Sequence, residues 1–338
     1  MISKIAIFRA LHLGDLLCII PAVRAIRHAW PDAHIALVGL SAQETFAQRF
    51  NHYFDRFIEF PGWPGLPEQE PDIEKIPAFL QSMRAEQFDL VCQMQGNGEI
   101  TNTMCMLWGA ATVCGLRKRG EYSPDDKLFP FSDDSEHEVL RFLKLSECLG
   151  AETKGTNLEF PVREHEESEV RAMMTSVGLK RKQYVCIHPG ARNPKRRWCV
   201  ANFVQVANAL SHQYRIVLTG SKDETDLLRN INRQLSVPAL NIVDTFGHLS
   251  VGHLGCLIRH SRLLVANDTG VSHLASALKT PSVIIFSPFS EFDRWRPLNP
   301  DLHVAIPWQR ASQEHVLTAV EQALSKASFN EHPDLIPR

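Results

Sequence analysis

The residues of this chain best suited to hold an anion are Asn267-Asp268-Thr269-Gly270, with His273 three positions on. They follow the apolar run Leu263–Val265, which reads as a buried parallel strand. A helix is expected from about Thr269, with Val271, Leu274, Ala275 and Leu278 on one face and Pro281 ending it. The first amides of a helix have no internal partner and lie at the positive end of its dipole. Gly270 has no side chain to obstruct a ligand, so a phosphate or diphosphate can rest on the amides of Thr269, Gly270 and Val271, within reach of His273. Helix capping by Asp268 or Thr269 also accounts for these residue types without any ligand.

Three further groups carry chemistry. The run His188-Pro-Gly-Ala-Arg-Asn-Pro-Lys-Arg-Arg-Trp198 places Arg192, Lys195, Arg196 and Arg197 within six residues, with Gly190 and Ala191 leaving the backbone accessible. It is either a solvated basic turn or a clamp for an anionic group. Gly220-Ser-Lys-Asp-Glu224 follows another strand; Glu224 can accept ribose hydroxyls or simply complement a helix dipole. Near the N-terminus, Gly14-Asp15 opens a helix after the strand Lys4–Phe8, and Asp15 is suited either to a general base or to an N-cap. Arg117-Lys118-Arg119 is a fourth, weaker candidate, for an anionic acceptor or as a solvated turn. No Walker A sequence is present, and no G-x-G-x-x-G follows a strand.

These groups need strands to position them. Apolar runs at Lys4–Phe8, Ile35–Val38, Arg56–Phe60, Phe88–Gln93 and Thr112–Gly115 alternate with helical stripes. After the charged helix Glu164–Val177 a second series begins: strands at Tyr184–His188, Arg215–Thr219, Leu240–Val243, Leu263–Val265 and Val283–Phe286, with helices between them and a last helix at Glu314–Lys326. The tail after Ser328 reads as loose. Such alternation implies α/β domains with doubly wound parallel sheets, whose ligands bind at the carboxyl ends of the strands. The stretch from Phe60 to Pro77 holds five prolines, two glycines and Trp63, and reads as a surface loop.

The bulk numbers agree. A length of 338 residues suits two domains. A net charge of −2 gives no field that calls for nucleic acid. The eight cysteines form no C-x-x-C pair, so they read as reduced core residues of a cytoplasmic protein with no cysteine zinc site. No run of 18 apolar residues occurs, and Ile5–Phe8 is too short for a signal sequence.

Taken together, the motifs resemble glycosyltransferase family 9, the heptosyltransferases of lipopolysaccharide core assembly. The resemblance covers most of the chain. It rests on Gly14-Asp15-Leu16-Leu17 with Pro21-Ala22-Val23, on His188-Pro189-Gly190-Ala191 with Arg196-Arg197-Trp198, on Gly220-Ser221 with Glu224, and on Asn267-Asp268-Thr269-Gly270 with His273-Leu274-Ala275. It implies a GT-B fold: two Rossmann-like, doubly wound parallel-sheet domains facing across a cleft. They are expected at 1–162 for the acceptor and 163–310 for the nucleotide-sugar, with the helix at 311–328 returning to the first domain. It implies inverting, metal-independent transfer with no cofactor, most commonly of heptose from ADP-heptose to a lipopolysaccharide core or related glycan. Asp15 is then the base. Ala191, Arg192, Lys195, Arg196, Glu224, Asp268, Thr269, Gly270 and His273 meet the nucleotide-sugar. Gly14, Arg117, Lys118 and Arg119 fall to the acceptor. Where the family often has lysine two residues before the tryptophan, this chain has Arg196 with Lys195 beside it. The expected partners are a nucleotide-sugar donor and a lipid-linked or glycan acceptor, for a monomer working in the cytoplasm or at the inner membrane face. Competing readings are a nucleotide-sugar epimerase or hydrolase, and a non-catalytic sugar-nucleotide-binding protein.

Overall fold

The computed structural model of the chain describes residues 2–121 and 123–331. The contacts divide the chain into two compact units, Met1–Thr156 and Asn157–Arg338. The division lies six residues before the expected 162/163 boundary. Phe160 explains the difference: its ring packs against Gly255, deep in the second unit.

The first unit runs β1 (Lys4–Phe8), α1 (Leu13–Ala29), β2 (His34–Gly39), α2 (Glu44–Arg49), β3 (Arg56–Glu59), α3 (Ile76–Glu86), β4 (Leu90–Gln93), α4 (Thr101–Met106), β5 (Thr112–Gly115) and α5 (Glu138–Cys148). Its five strands are parallel, in the order β3-β2-β1-β4-β5. The central strands are buried along nearly their whole length, as expected where helices cover both faces of a sheet. Helix α1 runs through Pro21 without interruption. The proline forgoes one backbone bond, while Leu17, Ile20, Val23 and Ile26 bury the apolar stripe that keeps the helix in place. On one sheet face Phe8, Phe60, Phe79 and Trp108 form an edge-to-face aromatic cluster with centroids 4.9–5.7 Å apart.

The second unit runs α6 (Glu164–Ser176), β6 (Tyr184–His188), α7 (Val200–Leu210), β7 (Arg215–Leu218), α8 (Thr225–Gln234), β8 (Leu240–Asn241), α9 (Ile242–Phe246), α10 (Val251–His260), β9 (Leu263–Asn267), α11 (Gly270–Ala277), β10 (Ser282–Ile285), α12 (Phe292–Trp295), β11 (His303–Ile306) and α13 (Gln313–Glu331). Its six parallel strands take the order β11-β10-β9-β6-β7-β8. The fold class expected from the sequence is therefore present in both units.

Three elements differ from expectation. The strand expected at Leu240–Val243 is a two-residue strand that turns into helix α9. Strand β11, which closes one edge of the sheet, was not foreseen. Helix α13 lays Val316, Val320 and Leu324 into the core beside Val283 and Val265. These contacts count it with the second unit, where the expectation had it return to the first domain. The loose tail expected after Ser328 is helical to Glu331; the remainder lies outside the described residues.

Trp108 is 1% exposed and anchors the aromatic cluster. Replacing it by alanine should cost about 3–5 kcal/mol in urea unfolding. Trp108→Phe should cost less, because the indole N–H is buried without a partner. A loss below about 1 kcal/mol for Trp108→Ala would show that the cluster does not carry the first core.

Candidate functional site

Strand order reverses between β6 and β9, which lie side by side with His188 opposite Ala266. The loops leaving their carboxyl ends therefore emerge together, at the position where open α/β sheets bind ligands. These are the basic run 189–198 and the Asn267–Gly270 turn.

Asn267 joins them. Its side chain is wholly buried; its Nδ2 donates to the Pro189 carbonyl at 2.8 Å, and its Oδ1 accepts from the Trp198 amide at 2.9 Å. One amide thus pins both ends of the basic loop. Trp198 is further held by its indole N–H to the Ala311 carbonyl and by an edge contact with Phe203. Between these pins, the Arg196 guanidinium pairs with the Asp268 carboxylate, donates to the Asp268 carbonyl at 2.9 Å and reaches Ser290. Lys195 is exposed, with its ammonium 5.6 Å from the centroid of the Phe289 ring.

No side chain caps α11. The Asp268 carboxylate is committed to Arg196. The Thr269 hydroxyl is buried and has no hydrogen-bond partner. The helix start thus presents the amides of Gly270 and Val271, one unpartnered hydroxyl and no competing carboxylate. His273 sits one turn in, buried, with its ring edge-on to Trp295 at 5.9 Å.

Glu224 is buried and takes the capping role: its Oε2 accepts from the Ser221 amide at 2.8 Å, and its Oε1 lies 3.8 Å from Arg197. Its carboxylate also lies against Gly190, where a Cβ would come within 2.1 Å of Glu224 Oε1. Gly190 is therefore required for close approach to Glu224. Ala191 is buried and its carbonyl accepts from Arg197 Nε at 3.0 Å; Arg192 is exposed. His188 stands 3.0 Å from the Thr219 hydroxyl; burial pushes its pKa down, opposed by the Glu224 charge.

In the first unit, β1 and β4 are neighbours at the corresponding reversal. Asp15 lies in the first turn of α1, not at its N-cap: its Oδ2 accepts from the His12 amide at 3.3 Å. Its Oδ1 is 3.3 Å from Arg9, and the side chain is 19% exposed. Gly14 beside it is buried. Arg9, wholly buried, also binds Glu138 at 2.7 Å, the Met94 carbonyl and the face of Phe142. Each Asp15 oxygen therefore has one protein partner and keeps a lone pair for a ligand.

Arg9 and Glu138 were not singled out from the sequence. The available signal was a charge directly after the apolar run Ile5–Phe8, a place where an unpaired cation is too costly. The Arg117-Lys118-Arg119 triplet leaves β5, two strands or about 10 Å from β1. Its side chains fasten the following excursion: Arg117 to Asp126 and the Phe129 carbonyl, Lys118 to Asp134, and Arg119 over Phe131. Among the described residues no group of three or more His, Cys, Asp or Glu is placed to hold a metal ion. Nor is any described helix long and apolar enough to cross a membrane.

Asn267→Ala would strand the Trp198 amide and the Pro189 carbonyl in a buried place. The expected loss is about 1–3 kcal/mol per group left unpaired, read by chemical denaturation. Unchanged stability would show that the basic loop holds itself.

With this geometry in view, comparison with known proteins is informative. The model of the family described as glycosyltransferase family 9 (heptosyltransferase) matches residues 76–323. The chain is 24% identical over 291 residues to lipopolysaccharide heptosyltransferase 3 of Escherichia coli K12, covering 84% of this chain and 82% of that one. Among solved structures, it is similar to a family 9 glycosyl transferase of Veillonella parvula (TM-score 0.77, 18% identity, 96% of this chain and 97% of that one). It is also similar to the E. coli ADP-heptose lps heptosyltransferase II (TM-score 0.74, 18% identity, 96% and 99%). At such identities these structures show the fold alone, two Rossmann-like domains of the GT-B kind. The family match spans well over half of the chain, and the chain belongs to glycosyltransferase family 9 as a glycosyltransferase.

Proposed function

We propose that this glycosyltransferase moves a heptose from ADP-heptose to a hydroxyl of a lipopolysaccharide core or a related glycan, with inversion at the anomeric carbon and without a metal ion. The observation that carries the reading is the uncapped start of α11, with the unpartnered Thr269 hydroxyl beside the pinned basic loop. That is a site for a diphosphate built from the chain's own donors. The choice of sugar is supported by the names of its relatives, a lipopolysaccharide heptosyltransferase and an ADP-heptose lps heptosyltransferase.

In the proposed step Asp15 accepts the proton of the acceptor hydroxyl as that oxygen attacks the anomeric carbon. The bond from that carbon to the diphosphate oxygen breaks on the opposite face, and ADP leaves. Its growing charge is met by the Gly270 and Val271 amides, Thr269, His273 and Lys195. Arg196 contributes less, because Asp268 already neutralises it. Arg9 beside Asp15 is itself charge-balanced by Glu138 at 2.7 Å.

Asp15→Ala and Asp15→Asn should lower the rate of transfer about 10²–10⁴-fold with both substrates saturating, and leave ADP affinity by calorimetry unchanged. Near-full turnover in either variant would remove Asp15 as the base. Release of free heptose at the same rate with and without acceptor would point to a hydrolase.

A further inference from the structure

Among the described side chains, Phe289 and Trp308 are the only exposed phenylalanine, tyrosine or tryptophan residues, at 61% and 51%. Both stand on the carboxyl edge of the second sheet, just beyond the neighbouring strands β10 and β11. Single exposed apolar residues are common on protein surfaces, so exposure alone decides nothing. What sets Phe289 apart is how it is held and what it stands beside.

Ile285, the last residue of β10, lies opposite Asn267, and its carbonyl accepts from the Asp268 amide at 3.0 Å. Ser287–Ser290 then makes a tight turn. The Ser290 amide donates to the Ser287 carbonyl at 3.1 Å, and Ser287 Oγ accepts from the Phe289 amide at 3.1 Å. Pro288 takes the first central position of the turn, where its fixed φ suits the geometry. Ser290 Oγ accepts from Arg196 Nε at 3.3 Å, and the same guanidinium donates to the Asp268 carbonyl at 2.9 Å. The turn is thus braced against the start of α11. The Phe289 ring at its apex stands 5.6 Å from the Lys195 ammonium and is otherwise open to solvent. An aromatic face is therefore fixed beside the proposed diphosphate site.

Strand order indicates which part of a donor that face meets. The edge runs β11-β10-β9-β6-β7, with α11 leaving β9. On the β6 and β7 side lie Gly190 and the Glu224 carboxylate, the groups suited to ribose hydroxyls. A nucleoside lying that way leaves the sugar on the other side of the diphosphate, over β10. A sugar ring directs its hydroxyls outward and shows C–H groups on its faces, which can pack on an aromatic ring while the hydroxyls stay hydrated.

We propose that Phe289 packs its ring on the C–H face of the transferred sugar and so favours the sugar-bearing donor over the bare nucleotide. This rests on the functional reading above and deepens it at the donor site.

The test is calorimetry on the full chain with ADP-heptose and with ADP, both without acceptor. Phe289→Ala should raise the ADP-heptose dissociation constant about 3- to 10-fold, the range of an aromatic contact, and leave that of ADP unchanged. Phe289→Leu, which keeps bulk without a flat face, should show the same split and decides the matter if the alanine variant does not fold. Phe289→Tyr, which keeps the face, should bind both ligands as the wild type does. An equal loss for ADP would put the ring on the nucleoside and overturn this inference. Wild-type ADP-heptose affinity in Phe289→Ala, or a loss in Phe289→Tyr as large as in Phe289→Ala, would overturn it too. All three results leave the functional reading intact. A wild-type protein that binds neither ligand overturns the functional reading, and this inference with it.

Discussion

The carboxyl edge of the second unit's sheet depends on one buried amide, that of Asn267. A ten-residue basic loop with only a single 3-10 turn of its own has backbone polar groups to satisfy and four like charges to hold together. Asn267 meets the backbone need at both ends, at Pro189 and at Trp198, from the last position of β9. Once the ends are fixed, Arg196 falls beside Asp268, and that pair ties the middle of the loop to the start of α11. The division of labour among the cations follows. Arg196 is a strut whose charge is spent on Asp268, while Lys195 is exposed beside Phe289. The motif's adjacent Lys195 and Arg196 therefore differ in role by position rather than by basicity.

The first unit solves the same problem with a charge in place of an amide. Arg9 follows β1 as Asp268 follows β9, and it crosses to the neighbouring strand exit at Met94 as Asn267 crosses to Pro189. A guanidinium with no exposure is costly unless it is paired. Here Glu138, the Met94 carbonyl and Asp15 answer the terminal nitrogens and the Phe142 ring one face, while Nε has no hydrogen-bond partner. Arg141, also buried, pairs the other oxygen of Glu138 at 3.4 Å, so the network reaches into α5. Asp15 lies at the exposed margin of this network, where position is fixed and a lone pair is still open. That combination is what a general base needs.

Much of this was legible in the sequence where the physics is local. Apolar runs separated by helical stripes announced two parallel sheets, and the polar turns after β1, β6 and β9 do leave the carboxyl edges of those sheets. What sequence could not decide was whether Asp268 and Thr269 cap α11, because the answer lies in the ion pair with Arg196, 72 positions away. The same holds for Glu224, whose spacing from Ser221 suits a capping box as well as a ribose contact; its fit against Gly190 depends on β6 and β7 being neighbours. Arg9 escaped notice because, Asp15 apart, its partners Glu138, Met94 and Phe142 are far off in the sequence and are brought to it by the sheet order and by α5. Helix α13 is a similar case, since its apolar face fits any core and only the contacts show that it packs on β9, β10 and β11.

The central claim is that the start of α11 and the pinned basic loop hold the donor's diphosphate. A crystal structure with ADP-heptose bound tests it most directly. The account predicts diphosphate oxygens within about 3 Å of the Gly270 or Val271 amide nitrogens, with the Thr269 hydroxyl gaining its missing partner. A nucleotide-sugar bound with its diphosphate elsewhere, and the Thr269 hydroxyl still without a partner, would contradict it.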